Sequence, residues 1–274
     1  MAIHQNNVNM ALIRSAMMQY DSGKPPGDDR GMNKALNIQK LKVSCSQCSL
    51  KELCFPRGMD QSDLDKLDEV INRNRPLQKN EHLYREADPS RAIYAIRSGC
   101  VKTVVESPSG DEQIVGFHLP GELVGFDGFA TDSHTCTALA LETTSVCELP
   151  LDNLEKLCAS IPGLQRQMRR IMGLEVNNEH DMLLLLGKMN ADEKLATFLL
   201  NLAARMRERH WKESEFNLAM PRQDIANYLG LAVETVSRLF AQFQERGLIR
   251  VDKRHITITD MSALKQITGE CAAH

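Results

Sequence analysis

No stretch of the chain is apolar for long enough to cross a bilayer, so there is no candidate for a membrane-spanning helix. The N-terminus lacks the basic-then-apolar order of a secretory signal, and a cytoplasmic location is expected. Positive charge is not in excess. The 33 Lys and Arg stand against 36 Asp and Glu, a formal net charge of −3, so nothing draws the whole chain to nucleic acid. Any DNA contact must come from a local basic face. No Gly-rich nucleotide motif follows a strand-like run, which counts against a dinucleotide-dependent redox enzyme. Between Lys102 and Lys156 there is no Lys or Arg. A phosphate buried in that part of the chain would meet no cation.

What the chain does have is cysteine, eight in all. Three of them form Cys45-x2-Cys48-x5-Cys54 within Ser44–Cys54. Cys45 and Cys48 can turn their sulfurs to a common centre, and Cys54 can join from the next turn. Compact spacing of this kind is typical of iron–sulfur ligation, and a cubane needs a fourth thiolate from elsewhere. Zinc is the competing reading, because structural zinc sites also favour C-x2-C pairs. Disulfides are disfavoured where thiols are kept reduced. Spacing alone does not choose the fourth ligand among Cys100, Cys136, Cys147 and Cys158. Cys136, in Ser133-His134-Thr135-Cys136, is a plausible loop ligand, and a free Cys on a strand or helix is most often a small apolar filler.

Residues 1–44 are poorly patterned, and Lys24-Pro25-Pro26-Gly27-Asp28-Asp29 breaks any helix begun before it, so a mobile N-terminal tail is expected. Translation from Met32 would shorten that tail. Ser62 is expected to cap a helix to about Asn72, with Leu64, Leu67, Val70 and Ile71 on one face. From Leu77 to Pro150 short strand-like runs appear at His82–Tyr84, Ala92–Ile96, Val101–Val105, Gln113–Phe117 and Ser145–Leu149. Gly or Pro turns separate them, which argues for a small antiparallel barrel or roll. The chain's final Cys271-Ala272-Ala273-His274 matches a prenylation pattern by letter only and is set aside as chance.

A helix is expected from about Leu164 to Lys188, and Asn190 with Glu193 forms a capping box for the next one, which runs to about Arg209. Along the first of these, Met168, Met172, Val176, Glu179, Leu183 and Leu186 follow steps of four and three, the spacing of a dimer seam. Pro221 to Phe240 then reads as helix, Gly turn, helix. Ile225, Leu229, Leu231, Val236 and Leu239 fall where the two must pack, Ala226 is small at the crossing, and Gly230 suits a left-handed turn. That combination favours a DNA-binding helix-turn-helix over an ordinary helical hairpin. Glu234, Ser237 and Arg238 share one face near the start of the second helix, where they can meet base edges. Val251–Asp252 and His255–Thr259 look like a two-stranded wing.

A sensory β-roll, a long helix and a winged helix-turn-helix, in that order, resemble the CRP/FNR superfamily of bacterial regulators. The cysteine stretch, together with Tyr94–Gly99, Gly116–Leu119, Leu123–Asp127, Val146–Glu148 and Tyr228–Arg238, narrows the likeness to its oxygen-sensing branch, over about residues 45–268. The resemblance implies an α+β chain: a sensory domain at 45–160 with a Cys arm and a β-roll of the cyclic-nucleotide-binding type, a dimerisation helix at 161–189, and a DNA-binding domain at 190–274. It implies a [4Fe-4S] cluster on Cys45, Cys48, Cys54 and Cys147, a homodimer, palindromic DNA with TTGAT half-sites, and contact with RNA polymerase through Glu106–Asp111. Ser49 sits where relatives tune oxygen reactivity. An acidic residue at the place of Glu179 implies repulsion that keeps the clusterless form monomeric, although Glu stands here where the family usually has Asp. The related cyclic-AMP regulators hold their effector with an Arg-Ser pair after the Gly-Glu-Leu turn. Here Gly121-Glu122-Leu123 continues without a cation, so no cyclic nucleotide is expected. A zinc- or thiol-based regulator of the same fold, or a cluster-bearing electron-transfer protein, are the competing functions.

Overall fold

Antiparallel strands build the first half of the computed structural model, which describes residues 44–269. These are β1 (His82–Tyr84), β2 (Ala92–Ser98), β3 (Val101–Glu106), β4 (Glu112–His118), β5 (Leu123–Val124), β6 (Thr137–Ala140) and β7 (Ser145–Pro150). They form two sheets, ordered β1-β6-β3-β4 and β5-β2-β7. Five of the seven match the strand-like runs in the sequence. The other two, β5 and β6, had no signal to find: β5 is two residues long, and β6 buries only Ala138 and Ala140, a residue type with little strand preference. Between β2 and β3 the backbone takes φ +85° at Gly99, where a Cβ would lie 2.4 Å from Thr144 Oγ1 and 2.6 Å from the Thr143 carbonyl oxygen. Only glycine fits that turn.

Before the roll lies α1 (Gln61–Val70). Its cap is Asp60 rather than the expected Ser62: the Asp60 carboxylate accepts from the Asp63 N–H at 2.9 Å, and the Ser62 hydroxyl also donates to it. A carboxylate at the cap meets the positive end of the helix, which a hydroxyl does less well. After β7, α2 (Leu151–Ser160) begins directly at Pro150, without a side-chain cap to announce it. Then come α3 (Pro162–Lys188) and α4 (Ala191–Glu208), and the Asn190–Glu193 capping box closes with both hydrogen bonds, at 2.8 and 3.1 Å. The remainder is β8 (Glu215–Asn217), α5 (Arg222–Leu229), α6 (Val233–Glu245), β9 (Ile249–Asp252), β10 (His255–Ile258) and α7 (Met261–Ile267). The expected two-stranded wing is a three-stranded sheet, β8-β10-β9. The tail at 1–43, Met32 and Cys271 fall outside the described residues.

One apolar cluster joins the roll to the C-terminal half. Val104, Ile114, Phe117 and Leu119 pack with Phe198, Leu202, Ile225 and Leu229. Phe117 stands 5.0 Å from the Tyr228 ring and 6.3 Å from Phe198. Asn227 fastens α5 to β4, accepting from the Ile114 N–H at 2.6 Å and donating to the Glu112 carbonyl at 2.7 Å. Lys102 and Asp224 pair at 3.1 Å across the same junction.

The most demanding contact is at Glu122. Its carboxylate receives Arg205 of α4 and Arg209, which caps that helix, and Arg209 also donates to the Pro120 carbonyl at 2.8 Å. The Arg209 side chain is 1% exposed and that of Glu122 27%. Burial pushes the carboxyl up, but the two guanidiniums outweigh it and hold the group down at about 2. Removing one partner of such an arrangement strands buried charge. Glu122→Ala should therefore cost about 3 kcal/mol, the lower end of the range for broken buried pairs because the carboxylate is partly wet. Because the folded value lies below the ordinary 4.5, this stabilisation is complete above pH 4.5 and fades as pH falls toward about 2. Urea midpoints of the wild-type and variant chains from pH 7 downward should converge across that window, and parallel lines would refute the assignment.

Candidate metal centre and nucleic-acid interface

The cysteine arm is a chain of tight turns rather than a helix. A 3-10 turn covers Cys45–Gln47, and the Cys54 N–H closes on the Leu50 carbonyl at 3.2 Å. Such a segment has too little apolar surface to fold alone, so it is held from outside. Leu50 and Phe55 are buried, the latter in a cluster with Leu67, Leu149, Leu164, Met168 and Ile171. Leu53 rests on the Gly121 turn, where a Cβ on Gly121 would come within 2.9 Å of the Leu53 Cβ. Gln167 on α3 donates to the Cys54 carbonyl at 3.2 Å. The arm thus touches the roll and the start of α3 together.

Cys45, Cys48, Cys54 and Cys147 line one cavity, with Lys51, Arg73 and Arg97 at its wall. Cys147 reaches it from β7, opposite Ala95 of β2. All four cysteines are free thiols. Burial pushes Cys45 up to about 12 and raises Cys54 and Cys147 too, while Arg73 and Arg97 act in the opposite sense on Cys147. Among the described residues no three His, Cys, Asp or Glu side chains converge closely enough to grip a single metal ion. A tetrahedral zinc site would need sulfurs only about 3.8 Å apart, given Zn–S bonds of about 2.3 Å. A cluster with iron at each corner takes its thiolates further apart and is anionic. Four free thiols beside a cationic wall are a donor set that an anionic iron–sulfur cluster can use.

Cys136 lies elsewhere. It is buried inside the roll with Tyr84 and Val101, and its thiol donates to Asp127 at 3.4 Å. Asp127 also accepts from the Thr135 N–H at 2.8 Å and meets His134, which stacks on Tyr84 with ring centroids 3.6 Å apart. Cys100 is buried in the shared core, and Cys158 is half-buried on α2. Sequence reasoning passed over Arg73, Arg97 and Lys51. Each is an ordinary charged residue in its local sequence, and only the fold brings the three together.

In the C-terminal half, Gly230 takes φ 60° and ψ 42° between α5 and α6. Ile225, Leu229 and Val236 are fully buried at the crossing, beside Ala226. Glu234, Ser237 and Arg238 are exposed on α6, and Lys253 and Arg254 are exposed at the β9–β10 turn. Arg222 lies over the Phe240 ring, 3.3 Å from its centroid.

Residues 74–160 match the Cyclic nucleotide-binding domain family, and 193–267 match the Crp-like helix-turn-helix domain family. The Transcriptional activator protein Anr of Pseudomonas protegens is 49% identical over 83% of this chain and 93% of its own. The Fumarate and nitrate reduction regulatory protein of Escherichia coli K12 is 45% identical over 83% of this chain and 91% of its own. The chain belongs to the FNR/Anr family. Among solved structures, FixK2 from Bradyrhizobium japonicum shares 31% identity, a TM-score of 0.67, 75% of this chain and all of its own. A CooA variant from Carboxydothermus hydrogenoformans, 19% identical with a TM-score of 0.60 over 73% of this chain and 88% of its own, shares the fold.

In this FNR/Anr chain the six residues expected to form a dimer seam divide. Met168 is buried within the chain, and Leu186 is partly buried against the helix-turn-helix core. Met172, Val176, Glu179 and Leu183 are exposed along one side of α3, Leu183 at 70%. Glu175 stands one residue before Val176, and burial, with the charges of Glu122 and Glu179, raises it to about 7. Ser49 and most of the Glu106–Asp111 turn are exposed. No helix of the described residues is long and apolar enough to cross a membrane.

Proposed function

We propose that the protein is an oxygen-responsive transcription regulator, rather than an enzyme, acting in the cytoplasm as a homodimer on palindromic DNA with TTGAT-type half-sites. The observation that carries this reading is the single cavity shared by Cys45, Cys48, Cys54 and Cys147, on an arm that also touches α3. When bound, a [4Fe-4S] cluster supplies an oxygen-sensitive cross-link between the arm and β7. The residues of the chain do the rest. With Cys54 fixed, Phe55 and Gln167 hold the first turns of α3 in one position. That ordering favours pairing of Met172, Val176 and Leu183 with their copies, against the repulsion of two Glu179 carboxylates brought out of water. Two helix-turn-helix units then meet two half-sites, whereas a lone chain meets one. The exposed Glu106–Asp111 turn suits a contact with RNA polymerase. No cyclic nucleotide is assigned as effector, because Glu122 is already met by Arg205 and Arg209 and no Lys or Arg follows it before Lys156.

A zinc- or thiol-based regulator of the same fold is separated from this reading by colour. Anaerobically purified protein should be brown with broad visible absorption, since zinc is colourless. Changing Cys45, Cys48, Cys54 or Cys147 to Ser should abolish that absorption, and changing Cys100, Cys136 or Cys158 should leave it. Loss in Cys136→Ser beside retention in Cys147→Ser would overturn the ligand set.

Glu179→Ala removes a paired-carboxylate penalty on the order of 1–3 kcal/mol if the seam is desolvated. Dimer affinity should then rise roughly tenfold to a hundredfold. Sedimentation of the aerobic variant should show dimer without cluster, and a pure monomer would count against the seam.

Arg238 can pair bidentately with guanine O6 and N7, and Glu234 can accept from cytosine N4. Arg238→Ala should cost about 1–3 kcal/mol per half-site and relax the choice at the G·C pair. Loss of Lys253 or Arg254 should weaken all sequences alike and flatten the salt slope. A site selection with the Arg238→Ala dimer that still prefers guanine would exclude base reading by this residue.

A further inference from the structure

Asp68 lies on α1, and Arg73 follows five positions later, beyond the helix end. The Asp68 carboxylate accepts from the Cys45 backbone N–H at 3.0 Å and pairs with the Arg73 guanidinium. The same guanidinium reaches to 3.8 Å from Cys45 Sγ and lines the four-cysteine cavity. Its side chain is only 12% exposed. The Arg73 Nε–H is buried and finds no acceptor among the described residues. A buried donor without an acceptor costs free energy, and here it belongs to a cation beside four thiols. A guanidinium can serve a carboxylate with one edge while its other N–H groups serve a second acceptor, which an ammonium does less well.

Resting on the function proposed above, we propose that Arg73 is a positioning residue for the cluster, oriented by Asp68. Its Nη2 group, which also serves Asp68, holds the Cys45 sulfur in register from the wall of the cavity, while Asp68 fixes the Cys45 backbone. Arg97 also lines the cavity and has the same charge, but among the described residues no hydrogen bond ties it to a cysteine sulfur, as one ties Arg73. Position, rather than charge alone, distinguishes Arg73.

The test uses the full chain, reconstituted anaerobically with iron and sulfide and then mixed with an excess of a ferrous-iron chelator. The readout is the rate at which the visible cluster absorption bleaches. Losing a residue that orients metal ligands typically costs about tenfold to a hundredfold in metal retention. Arg73→Gln should therefore bleach about tenfold faster or more, Arg73→Lys should fall between it and the wild type, and Arg97→Gln should change the rate far less. Asp68→Ala should bleach fast as well, and its effect should not add to that of Arg73→Gln, because the two act as one unit. If circular dichroism shows that Arg73→Gln does not fold, Asp68→Ala and Arg73→Lys decide. Bleaching of the folded Arg73 and Asp68 variants at the wild-type rate, or equal acceleration by Arg97→Gln and Arg73→Gln, overturns the proposal. A wild-type chain that takes up no cluster refutes the function reading itself, and this proposal with it.

Discussion

Phe55 sits beneath Cys54, wedged among Leu164, Met168 and Ile171 of α3, while Gln167 of the same helix donates to the Cys54 carbonyl. The cysteine arm has no core of its own, so these contacts and those of Leu50 and Leu53 are what give it a position. The consequence runs in both directions. A shift of Cys54 is passed to α3 within one residue, because close-packed side chains transmit displacement instead of absorbing it. A shift of α3 moves Cys54 relative to Cys147, which is fixed on β7 by its pairing with β2. The position of the arm and that of the N-terminal turns of the long helix are therefore coupled.

The other end of α3 belongs to a different body of contacts. Leu185 is buried, and Leu186 partly so, in the core that joins β4 to the helix-turn-helix. That core is crossed by the Glu122 arrangement. A carboxylate and two guanidiniums cost several kcal/mol to desolvate, and they persist because both guanidiniums pair with the carboxylate while Arg205 also donates to the Phe117 carbonyl and Arg209 to that of Pro120. In this chain the roll keeps the shape of an effector domain while its charged residues are spent on holding the DNA-binding half.

Between these two bodies α3 carries Met172, Val176 and Leu183 into solvent beside Glu179. Apolar area favours pairing, and carboxylates oppose it. Glu175, next to Val176, resists ionisation because burial and the charges of Glu122 and Glu179 disfavour its carboxylate. On the function proposed above this face pairs with its copy, and a seam of this composition is then marginal, the property an equilibrium needs if a small bias at one end is to move it.

The sequence by itself determined the elements whose signals are local. The Asn190–Glu193 capping box and the Gly230 turn with its flanking apolar residues each follow from neighbours in the chain and are where they were expected, while the Cys45-x2-Cys48-x5-Cys54 spacing brings its three cysteines to one cavity. Short or plain segments were silent: β5 has two residues, β6 buries only alanines, and α2 starts at a proline without a cap. The cap at Asp60 displaced Ser62 because a carboxylate two residues earlier satisfies the helix end better. What only the tertiary structure decided is what meets across the chain. Cys147 shares a cavity with the arm while Cys136 is turned to Asp127, Arg73 stands at Cys45 through Asp68, and Glu122 faces α4. Thiols and charges carry no record in their own neighbourhoods of which distant partner they will face. That is set by strand pairing and helix packing, which bring together residues far apart in the chain.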